Sequence, residues 1–191
     1  MPNHQEVSKL LSFVLRHQPQ QLGIDLDAGG WADIQQLLRQ VNATGTPLDH
    51  QQLLAVVASS DKQRFAISAD GQKIRANQGH SFTVDLQLSP TVPPDILLHG
   101  TASRFLASIQ TQGLQKMARQ HVHLTEHHQA ALAVGQRYGK PVLLRIDAAA
   151  MVAAGHTFYH TANDVWLTES VPPQFIQVPL DSPAIAEEIP V

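Results

Sequence analysis

Over the first sixty residues, hydrophobic positions recur with the spacing of helix faces. From about Glu6, Val7, Leu10, Leu11 and Val14 fall at i, i+3, i+4 and i+7, the signature of one buried face. Pro19 closes this helix, because the residue before a proline avoids the helical region. After a short GIDLD and a GG turn, WADIQQLLRQV places Ile34, Leu37, Leu38 and Val41 on a second amphipathic helix. TGTPLDHQQLLAVVASS supplies a third, with Asp49 positioned to cap its N-terminus. The period then shortens: RFAIS, ADGQ and KIRA predict a hairpin, since Asp70–Gly71 provides the positive φ angles of a tight turn. Three helices followed by a hairpin is the order of a winged-helix module.

The stretch NQGHSFTVDLQLSPTVPPD has little helical period, and its prolines at 90, 93 and 94 read as a linker. Beyond it, short apolar strands alternate with helices: ILLHGT, SRFLASIQTQGL, HVHLT, HHQAALAVGQRYG, VLLRID, AAAMVAAG, FYHT, DVWLT and FIQVP. That is the pattern of a small mixed lobe, so the expected fold class is α+β. The expected division is a first lobe at 1–80, a linker at 81–95, a second lobe at 96–179 and a tail at 180–191 without clear period.

Composition narrows the function classes. The 191 residues are 43% hydrophobic and 15% charged, enough for a real core and not membrane-like. No apolar run reaches bilayer-spanning length and no basic-then-apolar leader opens the chain. Cysteine is absent, which removes disulfides and thiolate metal sites and suits a reducing cytoplasm. A net charge of −3 disfavours bulk nucleic-acid binding through many phosphate contacts. The distribution adds something that the total hides: Lys62, Arg64, Lys73 and Arg75 lie close together. From Ile96 to Thr125 there is no acidic residue, while Arg104, Lys116, Arg119, His99, His121 and His123 fall there. These regions tolerate an anion.

Among candidate chemistries, HVHLTEHH (His121 to His128) raises a zinc site, but it lacks H-E-x-x-H and a conspicuous paired carboxylate, so a polar strand edge is the favoured reading. There is no cysteine, no G-x-S-x-G elbow, no P-loop and no G-x-G-x-x-G. LLHGT puts an imidazole, bare backbone and a hydroxyl at one strand mouth, which suits a sugar clamp or an ordinary strand-to-helix turn. The arginines carry more weight, because a planar guanidinium bonds two phosphate oxygens at once. Arg16–His17 ends a helix, Arg64 begins the hairpin, Arg75 closes it, and Arg119 precedes a predicted strand of the second lobe. Should they converge, they form a site between the lobes for a doubly charged phosphate; separate surface arginines are the alternative.

Taken in order, LSFVLRHQP, DKQRF, IRANQGHS, LLHGT, RQHVHLT and DVWLTESVPP closely resemble the RNA 2′-phosphotransferase family, also called tRNA 2′-phosphotransferases. The resemblance covers roughly residues 5–178 and implies a winged-helix, RNA-binding lobe joined to an ADP-ribosyltransferase-like lobe that binds NAD⁺. The implied reaction moves an internal RNA 2′-phosphate onto NAD⁺ through an ADP-ribosylated RNA 2′-phosphate. Its products are 2′-OH RNA, nicotinamide and ADP-ribose 1″,2″-cyclic phosphate.

By motif, Arg16, His17, Arg64 and Arg119 match the family's catalytic set. His99 is expected to hold the NAD ribose, with Gly100 and Thr101 beside the nicotinamide. His123 matches the second transferase histidine, and Val165 stands where many ADP-ribosyltransferases carry glutamate. Lys62, Arg75, Gln78 and His80 are expected RNA or NAD contacts. The resemblance further implies a cytoplasmic monomer acting on tRNA-like RNA, with NAD consumed as co-substrate and no metal. Two other readings stay open: ADP-ribosyl transfer to terminal phosphates of nucleic acids, and a non-catalytic, NAD-sensing winged-helix protein.

Overall fold

The computed structural model describes residues 3–60 and 62–178. It is an α+β chain with small antiparallel sheets, as the alternating pattern predicts. Its contacts sort into two compact units. Residues up to Leu88, together with Ala118–Gln120, form the first; Ser89–Met117 and residues from His121 onward form the second. The expected tail at 180–191 lies outside the described residues.

In the first unit, α1 (His4–Arg16) starts at Asn3, whose side chain accepts the Gln5 N–H at 3.0 Å. Val7, Leu11, Val14 and Leu15 are its buried positions, so the stripe read from the sequence is the face that packs. The second helix begins later than the apolar pattern suggests. Ala32–Asp33 forms strand β1, and Asp33 then caps α2 (Ile34–Ala43) by accepting the Gln36 N–H at 2.7 Å. α3 (His50–Ala58) carries a full capping box: the Asp49 carboxylate takes the Gln52 N–H, and the Gln52 amide takes the Asp49 N–H.

The hairpin pairs β2 (Phe65–Ile67) with β3 (Lys73–Ala76) in the register Phe65↔Ala76, and β1 adds to the other edge of β3. Of the two turn residues expected at positive φ, only Gly71 is there, at +72°. Asp70 instead accepts from the Ser68 hydroxyl and the Gln72 N–H, which fixes the turn through its side chain. Leu11, Leu15, Leu37, Leu53 and Ile74 close the core of this unit.

The second unit holds three sheets. β4 (Ile96–Ala102) pairs along its whole length with β7 (Pro141–Asp147), and β11 (Ile176–Gln177) completes that sheet. β6 (Val122–Leu124), β9 (Trp166–Thr168) and β8 (Tyr159–His160) form another, in the order β6-β9-β8. β5 (Leu114–Gln115) pairs with β10 (Ser170–Val171). Helices α4 (Leu106–Gln112), α5 (His128–Gly135) and α6 (Ala148–Ala153) pack around Leu97, Leu124, Leu144, Ile146 and Phe158.

A bridge between Leu98 and Thr125 lays β4 beside the end of β6. Helix α5 approaches β4 backbone to backbone. A Cβ on Gly100 would stand 1.6 Å from the Ala131 carbonyl oxygen, and one on Gly135 would stand 2.3 Å from that of Thr101. Among the described residues, no helix is long and apolar enough to cross a membrane.

Candidate active site

The last turn of α1 delivers Arg16, and His17 follows as its C-cap, donating its own N–H to the Phe13 carbonyl at 2.9 Å. Arg16 is half-buried, and its Nε and Nη2 are shielded from solvent without a hydrogen-bond partner among the described residues. Burial lowers its pKa to about 10, and the neighbouring guanidiniums of Arg64 and Arg119 push the same way. It therefore stays charged at neutral pH, desolvated among like charges. His17 is exposed, and its pKa lies below the usual histidine value through desolvation and the charges of Arg16 and Arg119.

Arg64 stands at the mouth of the hairpin, where its backbone N–H and Nη1 reach the Ser60 hydroxyl at 3.3 and 3.4 Å. Arg119 comes from far along the chain, yet Ala118–Gln120 belongs to the first unit. All four residues of the expected catalytic set thus stand in one unit, with Arg16 within electrostatic reach of Arg64 and Arg119.

Gln120 explains how that remote arginine is held. Its N–H donates to the His80 carbonyl at 2.9 Å, and its side-chain amide meets the Val84 backbone twice, accepting at 3.1 Å and donating at 2.9 Å. The same loop ties back to α1, since the Ser81 N–H donates to the Arg16 carbonyl at 2.9 Å. One short strap, Gly79 to Val84, therefore registers Arg16 against the Arg119 segment. Sequence reading did not find Gln120, because nothing in its spacing distinguishes it from a solvent-facing glutamine.

His80 is 1% exposed, and its Nε2 lacks a partner among the described residues. Burial, followed by the charges of Arg16, His17 and Arg75, lowers its pKa to about 4, so it is a neutral imidazole at neutral pH. Arg75 lies over the Trp31 ring, 4.5 Å from its centre, and its Nε is also buried without a partner. Lys62 is exposed at the start of the hairpin and Gln78 is half-buried before the strap.

The second group of expected residues lies in the other unit. His99 Nδ1 meets the His123 carbonyl oxygen at 3.0 Å, so β4 and β6 bring these two histidines together. Thr101 is buried, and Val165 is half-buried, donating its N–H to the Thr161 hydroxyl at 3.0 Å. Gly100 has a packing reason of its own: the space its side chain would need is filled by the Ala131 carbonyl.

The HVHLTEHH cluster does not act as one set. His121 packs against Tyr159, His123 meets His99, His127 reaches Asp164, and His128 opens α5.

Chemically, the first unit concentrates cations around partnerless guanidinium nitrogens, an arrangement that a multiply charged oxyanion satisfies. Comparison with known proteins shows the family. The family model "RNA 2′-phosphotransferase, Tpt1 / KptA family" matches residues 2–170. Probable RNA 2′-phosphotransferases of Hahella chejuensis and Agrobacterium fabrum are 53% and 55% identical over 176 and 177 residues. These alignments cover 92% and 93% of this chain and 95% of each relative. One from Pseudomonas aeruginosa is 55% identical over 173 residues, 90% of this chain and 95% of its own. The chain belongs to the RNA 2′-phosphotransferase family and is a transferase.

Proposed function

We propose that the chain removes an internal 2′-phosphate from RNA by transferring it to NAD⁺, which is consumed as co-substrate. The observation that carries this reading is Arg16: a desolvated guanidinium with two partnerless nitrogens, flanked by the charges of Arg64 and Arg119. A 2′-phosphate monoester is already anionic at neutral pH, so attack on a ribose anomeric carbon needs positioning more than a general base. Arg16, Arg64 and Arg119 hold the phosphate oxygens and stabilise the charge that develops as phosphorus passes between esters.

His17 directs its imidazole N–H at the RNA 2′-oxygen and supplies the proton as that oxygen departs. Its lowered pKa favours the neutral ring in the free protein; a bound dianion reverses the electrostatic part of that shift and favours the protonated donor. Lys62, Arg75, Gln78 and His80 are assigned to neighbouring RNA. Of these, Arg75 has a buried Nε without a partner, suited to an acceptor oxygen.

NAD⁺ supplies the electrophilic ribose carbon. His99, Thr101, His123 and Val165 are assigned to hold it, with Gly100 permitting the close approach of α5 behind them. The juxtaposition of His99 and His123 across β4 and β6 supports an ADP-ribosyltransferase-like second unit. The helix order and the β2–β3 hairpin support a winged-helix first unit.

The decisive assay offers an RNA oligonucleotide with one internal 2′-phosphate, with and without NAD⁺, and identifies products by mass. Conversion to 2′-OH RNA is expected only with NAD⁺, accompanied by nicotinamide and ADP-ribose 1″,2″-cyclic phosphate. Phosphate release without NAD⁺ would overturn the proposal in favour of simple hydrolysis.

A further inference from the structure

Three side chains that this reaction leaves unused, Glu126, His160 and Asp164, converge in the second unit, and His127 lies against the last of them. His127 Nε2 meets Asp164 Oδ2 at 2.5 Å, and His160 Nε2 meets the other oxygen of that carboxylate at 2.8 Å. Glu126 joins them: ligand atoms of Glu126, His160 and Asp164 all lie within 4.8 Å of one another. We propose that Glu126, His160 and Asp164 form a surface site for one divalent transition-metal ion of the zinc type, with His127 set against Asp164.

The donor set suits that ion. One imidazole and two carboxylates give one nitrogen, two oxygens and a charge that balances a divalent cation, with solvent left to complete the coordination. Imidazole favours zinc, cobalt or nickel, whereas magnesium and calcium prefer oxygen alone. Ligand atoms around tetrahedral zinc stand roughly 3.3 Å apart, as follows from zinc–ligand bonds near 2.0 Å. The His160–Asp164 contact at 2.8 Å is slightly tighter and all three donors lie within 4.8 Å of one another, so an ion enters by a small adjustment of side chains at the surface. Glu126, His127 and Asp164 are exposed and His160 half-buried, which leaves the donors reachable from solvent.

The surroundings fix the donors before any ion arrives. Trp166, 4% exposed on β9, orients two of them at once. Its indole N–H donates to Glu126 Oε1 at 2.9 Å, and its ring stacks on His160 with centroids 4.3 Å apart and planes 18° from parallel. Such outer partners set ligand direction and tune affinity. Asp164 is held in a closed turn at φ +61°, its N–H donating to the Thr161 carbonyl, and His127 is the N-cap residue of α5. An ion here would clip the start of α5 to the turn before β9.

The test uses the full chain freed of metal by a chelator. Co²⁺ binding is followed by its ligand-field absorption, and Zn²⁺ affinity by competition with a chromogenic chelator. One ion per chain is expected, with a rise in unfolding temperature on adding Zn²⁺. Asp164→Gly keeps a backbone that tolerates positive φ, and His160→Phe keeps the stack on Trp166. Each should weaken Zn²⁺ binding at least about tenfold. His128→Gln, outside the set, should leave it unchanged and so controls for adventitious histidine binding. The proposal is overturned by no stoichiometric Zn²⁺ binding at about 100 μM metal, above the range expected for such a donor set. It is equally overturned by unchanged affinity in both ligand variants, or by Mg²⁺ displacing Zn²⁺ at equal concentration.

Discussion

The two units treat charge in opposite ways. In the first, Arg16 is desolvated beside Arg64 and Arg119, and the buried His80 is held neutral by burial and by Arg16, His17 and Arg75. In the second, acidic side chains have partners at hand: Asp164 between the His127 and His160 rings, and Glu169 with Lys116 at 3.4 Å. Left unpaired, a desolvated charge weakens the fold. Paired surface charges are nearly neutral for stability and describe the protein at rest. The contrast separates a cluster of like charges from one in which imidazoles and carboxylates meet.

The most severe way to test that contrast is to remove the clustered cations. Arg119→Ala or Arg16→Ala should lower kcat by a factor of about 10²–10³, the typical cost of losing one preorganised donor. Lysine at either position should recover only part, since an ammonium lacks the two-pronged geometry. Arg16→Met should meanwhile stabilise the free protein, on the order of 1–2 kcal/mol in denaturant titrations, because a buried repelled charge is gone. Unchanged kcat in the Arg16 and Arg119 variants would erase the distinction between the units.

A smaller effect should follow from loosening the strap. Gln120→Ala removes both amide bonds to Val84 and should lower kcat about tenfold, as misplacing a catalytic group does, with little change in unfolding temperature. In the Arg119→Ala background the same change should cost almost nothing, because a positioning residue has nothing left to position.

His80 gives a pH test. Its pKa rises from about 4 in the folded chain to near 6.5 when unfolded, so the unfolded state binds more protons between those values. Its contribution is complete above about pH 6.5 and is lost as pH falls toward 4. Denaturant titrations at pH 7 and pH 5 should differ by about 2 kcal/mol from this residue alone. His80→Phe should remove that part of the slope.

The smallest effect belongs to the paired cluster. Without metal, Asp164→Asn should change stability by less than about 1 kcal/mol and turnover by less than twofold.

Most of the first unit was legible in sequence because its information is local. The stripe Val7, Leu11, Val14 and the Asp49–Gln52 cap are decided by residues within one or two turns. Even there the start of α2 slipped, since Ala32–Asp33 pairs with β3, a partner some forty positions away that no helical period reveals. Arg16, His17, Arg64 and Arg119 could be grouped as candidates from ordered motifs. That they share one unit could not be read this way, because Gln120 secures Arg119 through main-chain groups of His80 and Val84, invisible in any pattern of side chains. The histidine-rich HVHLTEHH likewise suggested one cluster, where the fold sends His121, His123 and His127 to three different neighbours.

The passage of Ala118–Gln120 through the first unit has a consequence for how the chain can be divided. A single cut between Leu88 and Ser89 would leave Arg16 and Arg64 on one polypeptide and Arg119 on the other, although all three belong to the same compact unit. The unit is thus not a segment. Neither fragment inherits the complete guanidinium set, and only their reassembly restores it. A gene encoding the first eighty-odd residues would specify most of a unit and an incomplete guanidinium cluster.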